Sequence, residues 1–168
     1  MKKVWWLFLF CMAAGIVGIW FFSQGPPPLT DTPESIPNRT QVVPPGTSTT
    51  FAYRTSDEAR IPDLLVPTPL VRTSTSRLLG ISCAHGTDMC KLQAVYDYVR
   101  LNYEHSVGSP EHNYIQSAAE TLIYGSGDEL ELAILMASMH RAAGYDTDIL
   151  RGSYHTFARA YLGNEVKN

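Results

Sequence analysis

The sequence predicts an α+β fold, with helices first and a small antiparallel sheet last, set behind an N-terminal transmembrane helix. Three observations predict it. Val4 to Phe22 contain no charged residue. Two later stretches, Met89 to Tyr103 and Asp128 to Gly144, carry apolar residues at three- and four-residue spacing, the period of a helix. Two short runs after them, Thr147 to Leu150 and His155 to Leu162, have strand composition and turn residues around them.

The N-terminal run comes first. Its nineteen uncharged, mostly apolar residues are long enough to cross a bilayer, which takes ~20 helical residues. Lys2 and Lys3 in front favour a cytoplasmic N-terminus. A cleaved signal peptide would end its apolar region in small residues, whereas this one ends in Ile19-Trp20-Phe21-Phe22. Residue Phe10 before Cys11 argues against a lipoprotein site. The expectation is an uncleaved signal anchor over residues 1–22, held by membrane lipid through residues 4–22. The rest of the chain then lies outside the cytoplasm, in a periplasm or at a cell surface.

Residues 23–48 are rich in Pro, Thr, Ser and Gly, a composition that reads as a stiff extended stalk. Asn38-Arg39-Thr40 matches a glycosylation acceptor triplet, and Asn38 is the candidate site. Residues 49–82 hold short apolar runs broken by Pro67 and Pro69. Prolines at that density disfavour a central strand, and the reading is an extended arm draped over the domain that follows at 83–168.

Two cysteines, Cys83 and Cys90, lie seven apart in that domain. Outside the cytoplasm disulfides persist, so a Cys83–Cys90 bridge is the preferred reading. Two free thiols, or a metal pair completed by His85, are the alternatives; the spacing is loose for zinc and a second pair is missing.

The first strong helix follows. Leu92, Val95, Tyr96, Val99 and Tyr103 form one stripe, with Asp88 as the candidate N-cap. A Gly/Pro loop leads to a short helix from about Tyr114 to Leu122. The next helix opens at Asp128, whose partner Glu131 makes an Asp-x-x-Glu capping box. Apolar residues cover it on nearly all sides (Leu130, Leu132, Ala133, Ile134, Leu135, Met136, Ala137, Met139), which predicts burial. Gly144 ends it. The two strands follow, and Glu165 to Asn168 could begin a third.

Together these elements resemble the transglutaminase-like (papain-like) superfamily core over roughly half the chain. The resemblance rests on Tyr98-Val99-Arg100-Leu101-Asn102-Tyr103, Thr121-Leu122, Gly127-Asp128 opening a Leu/Ala-rich helix, Arg141-Ala142-Ala143-Gly144, and His155-Thr156-Phe157 opening a strand that ends at Tyr161-Leu162. In that family the buried helix opens Gly-Asp-Cys, and the Cys is the nucleophile. Here the position holds Glu129. His155 matches the family's catalytic His. The family's Asp lies on a following strand that this sequence does not complete, so the resemblance implies a truncated core with two of three catalytic roles vacant.

A thiolate nucleophile needs a His and an orienting group, and the thiol is missing. The chain therefore reads as a pseudoenzyme: no catalytic residue is assigned, and His155 and Glu129 are candidates for a vestigial cleft. A carboxylate in the first turn of a helix is ordinarily there for the macrodipole. An ion pair between Glu129 and His155 would fill the cleft.

A net charge of −3 and a pI near 5.9, with Lys and Arg scattered, exclude a nucleic-acid surface. His85, His105, His112 and His140 share no metal-ligand spacing, so no metal and no cofactor is expected.

The functional expectation is a non-catalytic accessory or scaffolding subunit of a membrane or cell-surface protein assembly. Its protein partner would meet the C-terminal sheet edge, an open template for strand pairing. Two other classes are a cysteine-independent hydrolase using Glu129 and His155, and a self-assembling surface protein built by strand exchange through the arm.

Overall fold

A computed structural model describes residues 32–47, 56–106, 114–153 and 155–163, and all of them fall within one compact unit, Asp31–Asn168. The expected anchor at 1–22 with its Cys11, stalk residues 23–31 and 48, His112 and the third strand at 165–168 lie outside the described residues. Among the described residues no helix is long and apolar enough to cross a membrane.

The core is built around one buried helix. In chain order the elements are α1 (Arg39–Val42), a 3-10 turn (Glu58–Arg60), α2 (Ile61–Leu64), α3 (Pro69–Ser82), α4 (Asp88–Asn102), β1 (Glu104–His105), α5 (Ala118–Tyr124), β2 (Ser126–Gly127), α6 (Glu129–Ala142), β3 (Asp146–Arg151) and β4 (Thr156–Tyr161). Helix α6 is packed by α3, α4 and α5 on its helical side and by β3 and β4 on the other. Its Ile134, Leu135, Ala137 and Met139 are fully buried. A helix enclosed from several directions can afford no continuous polar face, which is why its apolar residues run nearly all round.

The ends of α6 are set by local chemistry. Asp128 accepts from the Glu131 amide while the Glu131 carboxylate accepts from the Asp128 amide, the expected capping box. The helix closes at Ala143, and Gly144 follows at φ +99°. That left-handed conformation is the one glycine adopts without steric cost. Arg141 then ties the helix to β3 through the Thr147 hydroxyl and carbonyl, at 2.9 and 2.7 Å.

Strands β3 and β4 pair antiparallel, with Ile149 opposite Ala158 and Leu150 opposite Phe157. Ile149 and Ala158 pack toward the core, while Leu150 and Phe157 face away and are exposed. A second, parallel ladder is only two residues long, pairing Glu104 with Ser126 and His105 with Gly127.

Four sequence expectations are corrected. Part of the arm at 49–82 is helix rather than extended chain: Pro69 stands at N1 of α3, where its missing N–H costs nothing. The buried stripe of α3 is Val71, Ser74, Thr75, Leu78 and Ser82, and the hydroxyls hide its helical period from a purely apolar pattern. With α2 and α3 packed into their own domain, strand exchange through the arm keeps only residues 49–55, outside the described residues.

The stalk is corrected where it is described. Residues 32–47 form a strap on the domain, with Val42 fully buried and Ile36 packed against the core. The N-cap of α4 is Thr87, not Asp88, whose carboxylate instead accepts from the Tyr145 hydroxyl at 2.8 Å. The short helix begins at Ala118 rather than Tyr114, because Ser117 and Glu120 close a capping box there.

Candidate functional site

Glu129 is the first residue of α6, and its neighbour Asp128 is the N-cap. The cap fixes the direction of the first turn, and the β3–β4 hairpin folds back over it because both strands pack on α6. His155 sits just before β4 and reaches Glu129: its Nδ1 lies 3.1 Å from Oε1. The two residues that sequence reasoning picked out for a vestigial cleft are therefore in contact.

The pair is open to water, with the His155 and Glu129 side chains 65% and 43% exposed. Around it lies an open depression of about 310 Å³ lined by His105, Ser106, Asp128, Glu129, Leu130, Arg151 and Thr156. Arg151 on its rim is ion-paired with Glu58. The Glu129 carboxyl is held below the usual carboxylate range. The His155 hydrogen bond is the main cause, and the charges of His155 and His105 and the Thr156 amide add to it. Glu129 is thus anionic at neutral pH and already engaged.

His105 was read only as a histidine without metal spacing. The β1–β2 ladder brings it to the same depression. A two-residue parallel pairing leaves no periodic trace, and His105 lies far from Gly127 along the chain, so nothing in the sequence signals their meeting.

A carboxylate already bonded to an imidazole can pass a proton and can hold a polar ligand. It presents no thiol. Among the described residues no group of three or more His, Cys, Asp or Glu is placed to hold a metal ion. His85 is exposed in the loop between α3 and α4, and His140 is buried on α6 with Nε2 3.3 Å from the Leu92 carbonyl. Burial pushes the His140 imidazole below its ordinary value.

The remaining sequence candidates lie elsewhere. Cys83 and Cys90 form a disulfide with their Cα atoms 6.0 Å apart, joining the end of α3 to the start of α4. Asn38 is exposed and caps α1, its Oδ1 accepting from the Gln41 amide at 3.1 Å and the Thr40 hydroxyl at 2.8 Å.

The positioning of Glu129 depends on Glu131, which sequence reasoning treated only as half of a cap. Its Oε2 accepts from the Asp128 amide at 2.9 Å, and its Oε1 accepts from the Gln116 amide at 2.9 Å. One buried carboxylate thus joins the start of α6 to the segment before α5.

No curated protein and no solved structure is significantly similar to the chain. Residues 78–164, just over half of the sequence, match the transglutaminase-like superfamily core. On that match, which spans α4 through β4, the chain belongs to the transglutaminase-like superfamily.

Proposed function

We propose that this chain is a non-catalytic, membrane-anchored transglutaminase-like module, serving as an accessory or scaffolding subunit of a membrane or cell-surface assembly. The observation that carries the non-catalytic part is Glu129 at N1 of α6, bonded to His155 Nδ1 at 3.1 Å. The resemblance puts the nucleophile at that position, and a carboxylate is a far weaker nucleophile toward an acyl carbon than a thiolate. The anchor reading rests on the charge-free run from Val4 to Phe22 behind two lysines.

The partner reading rests on the outer face of the hairpin. Phe157 is 57% exposed and Leu150, its cross-strand neighbour, 40%. Covering what remains exposed of each is worth about 1 kcal/mol. The hairpin packs on α6 with one face and has only two strands, so a partner strand or surface on it would gain both apolar burial and backbone pairing.

The test is the native mass of the full-length chain extracted from its own membranes in mild detergent. A stoichiometric complex, weakened by Phe157→Ser, is the expected result. A lone monomer would overturn the accessory reading.

A second reading, a cysteine-independent hydrolase, is favoured by one observation: the Glu129–His155 pair borders a depression open to solvent. It requires ester or amide hydrolysis that Glu129→Gln abolishes without loss of folding. Equal background rates in both proteins would end it.

A further inference from the structure

The strap at 32–47 crosses the domain on the way to the site. The Glu34 amide donates to the Ser82 carbonyl at 3.1 Å, Ile36 packs on the Cys83–Cys90 disulfide, and Asn102 donates to the Pro37 carbonyl at 3.3 Å. Arg39 comes next, on the first turn of α1.

We infer that Arg39 is a positioning residue for the Glu129–His155 pair: its guanidinium lies against Gly125 and fixes the short backbone ladder from which α6 starts. Gly125 is buried, at φ +78°, and a Cβ placed there would fall 1.6 Å from Arg39 Nη1. The residue is therefore glycine for two reasons, the left-handed turn that ends α5 and the closeness of the guanidinium. Arg39 is half-buried, and a cation partly removed from water is held best where its neighbours favour a positive charge. They do so in two ways. The guanidinium sits at the carbonyl end of α5, where a cation is favoured. It also lies near the paired hydroxyls of Tyr98 and Tyr103, which are 3.3 Å apart and both feel its charge.

The next links are backbone hydrogen bonds. The Gly125 carbonyl accepts from the Glu104 amide at 3.0 Å, and the Gly127 carbonyl accepts from the Ser106 amide at 2.9 Å. That ladder sets His105 on one side of the depression and delivers the chain into Asp128 and Glu129 on the other. A guanidinium resting on Gly125 therefore restrains both walls of the site. The inference concerns the geometry of the pair, and it holds whether the pair is silent or catalytic.

The experiment compares amide hydrogen exchange at Glu104 and Ser106, and the Glu129 carboxyl titration by carbon NMR, in four full-length proteins in detergent: wild type, Arg39→Ala, Gly125→Ala and Val42→Ala. Arg39→Ala and Gly125→Ala attack one contact from opposite sides. Both are expected to speed exchange at Glu104 and Ser106 at least about tenfold beyond the amides of α4, and to raise the Glu129 midpoint. Val42→Ala loosens the same strap without touching Gly125, and should raise exchange evenly. If all three variants raise exchange evenly, or Glu129 titrates as in wild type, Arg39 is merely structural and the inference falls. Should Arg39→Ala not fold, Arg39→Lys carries the test. It keeps the charge and loses the flat contact, so the same local exchange is expected, and wild-type exchange would overturn the inference.

Discussion

Glu129→Cys, made in a Cys11→Ser background, would place a thiol at N1 of α6, where the family resemblance puts a nucleophile. Cys83 and Cys90 are tied up in their disulfide, so the new thiol would be the only free one. A free cysteine titrates near ~8.5. The helix N-terminus favours the thiolate by about 0.3–1 kcal/mol at an exposed site. Glu129 reaches His155 with its Oε1 3.1 Å from Nδ1. A cysteine ends two bonds earlier, so its sulfur would stand ~5 Å back from the ring, beyond hydrogen-bond reach. The helix effect alone, at 1.36 kcal/mol per unit, brings the thiol to about 7.8–8.3. At pH 7 the thiolate fraction then rises about 1.5- to 4-fold, while the nucleophilicity of each thiolate falls by up to about twofold, a net gain of up to about twofold in alkylation rate. The assay is the pH dependence of iodoacetamide alkylation, followed by intact mass. A midpoint at or above that of a free cysteine would refute the placement of residue 129 at a helix N-terminus. Because the sulfur stays beyond hydrogen-bond reach of the imidazole, the variant is not expected to gain substantial hydrolase activity.

Other consequences follow from single contacts. Glu131→Gln turns one of two accepting oxygens into a donor facing the Asp128 or Gln116 amide, and should cost about 2–3 kcal/mol in a denaturant titration, the worth of a charged hydrogen bond left unmade. His140 takes its proton less readily in the folded chain than its ordinary value of 6.5 implies, because it is buried. The unfolded chain therefore binds the extra proton first, and stability is full above that value and declines as pH falls through it. The melting temperature should drop between about pH 7.5 and pH 5, and His140→Gln should flatten that slope. In Gly86→Ala the added Cβ would lie 2.8 Å from Cys90 Cβ and 2.9 Å from Cys83 Cβ. The loop must then shift at a cost of about 1–3 kcal/mol, and free-thiol titration should find incomplete disulfide formation.

Much of the second half of the chain was legible because its signals are local. A capping box needs only Asp128 and Glu131 three residues apart, and α4 and α6 announce themselves by apolar spacing. The β3–β4 hairpin follows from short runs around glycine-rich turns. The first half was misread for a physical reason. The face that α3 buries is half hydroxyl, Ser74, Thr75 and Ser82 beside Val71 and Leu78. A pattern scored on apolar residues alone passes over such a helix, and Pro69, counted as a breaker, in fact starts it.

What the sequence by itself determined is the family, the order of elements from α4 onward, and the residues that cap α6. All of these depend on residues near one another in the chain. The tertiary structure decided which distant groups share a site. Glu129 meets His155 across 26 residues only because the hairpin packs back on α6. His105 joins them through two ladder hydrogen bonds, and Arg39 reaches that ladder from a segment whose composition suggested a free stalk. Contacts of that kind depend on where helices pack, and packing is a property of the whole core rather than of any window of sequence.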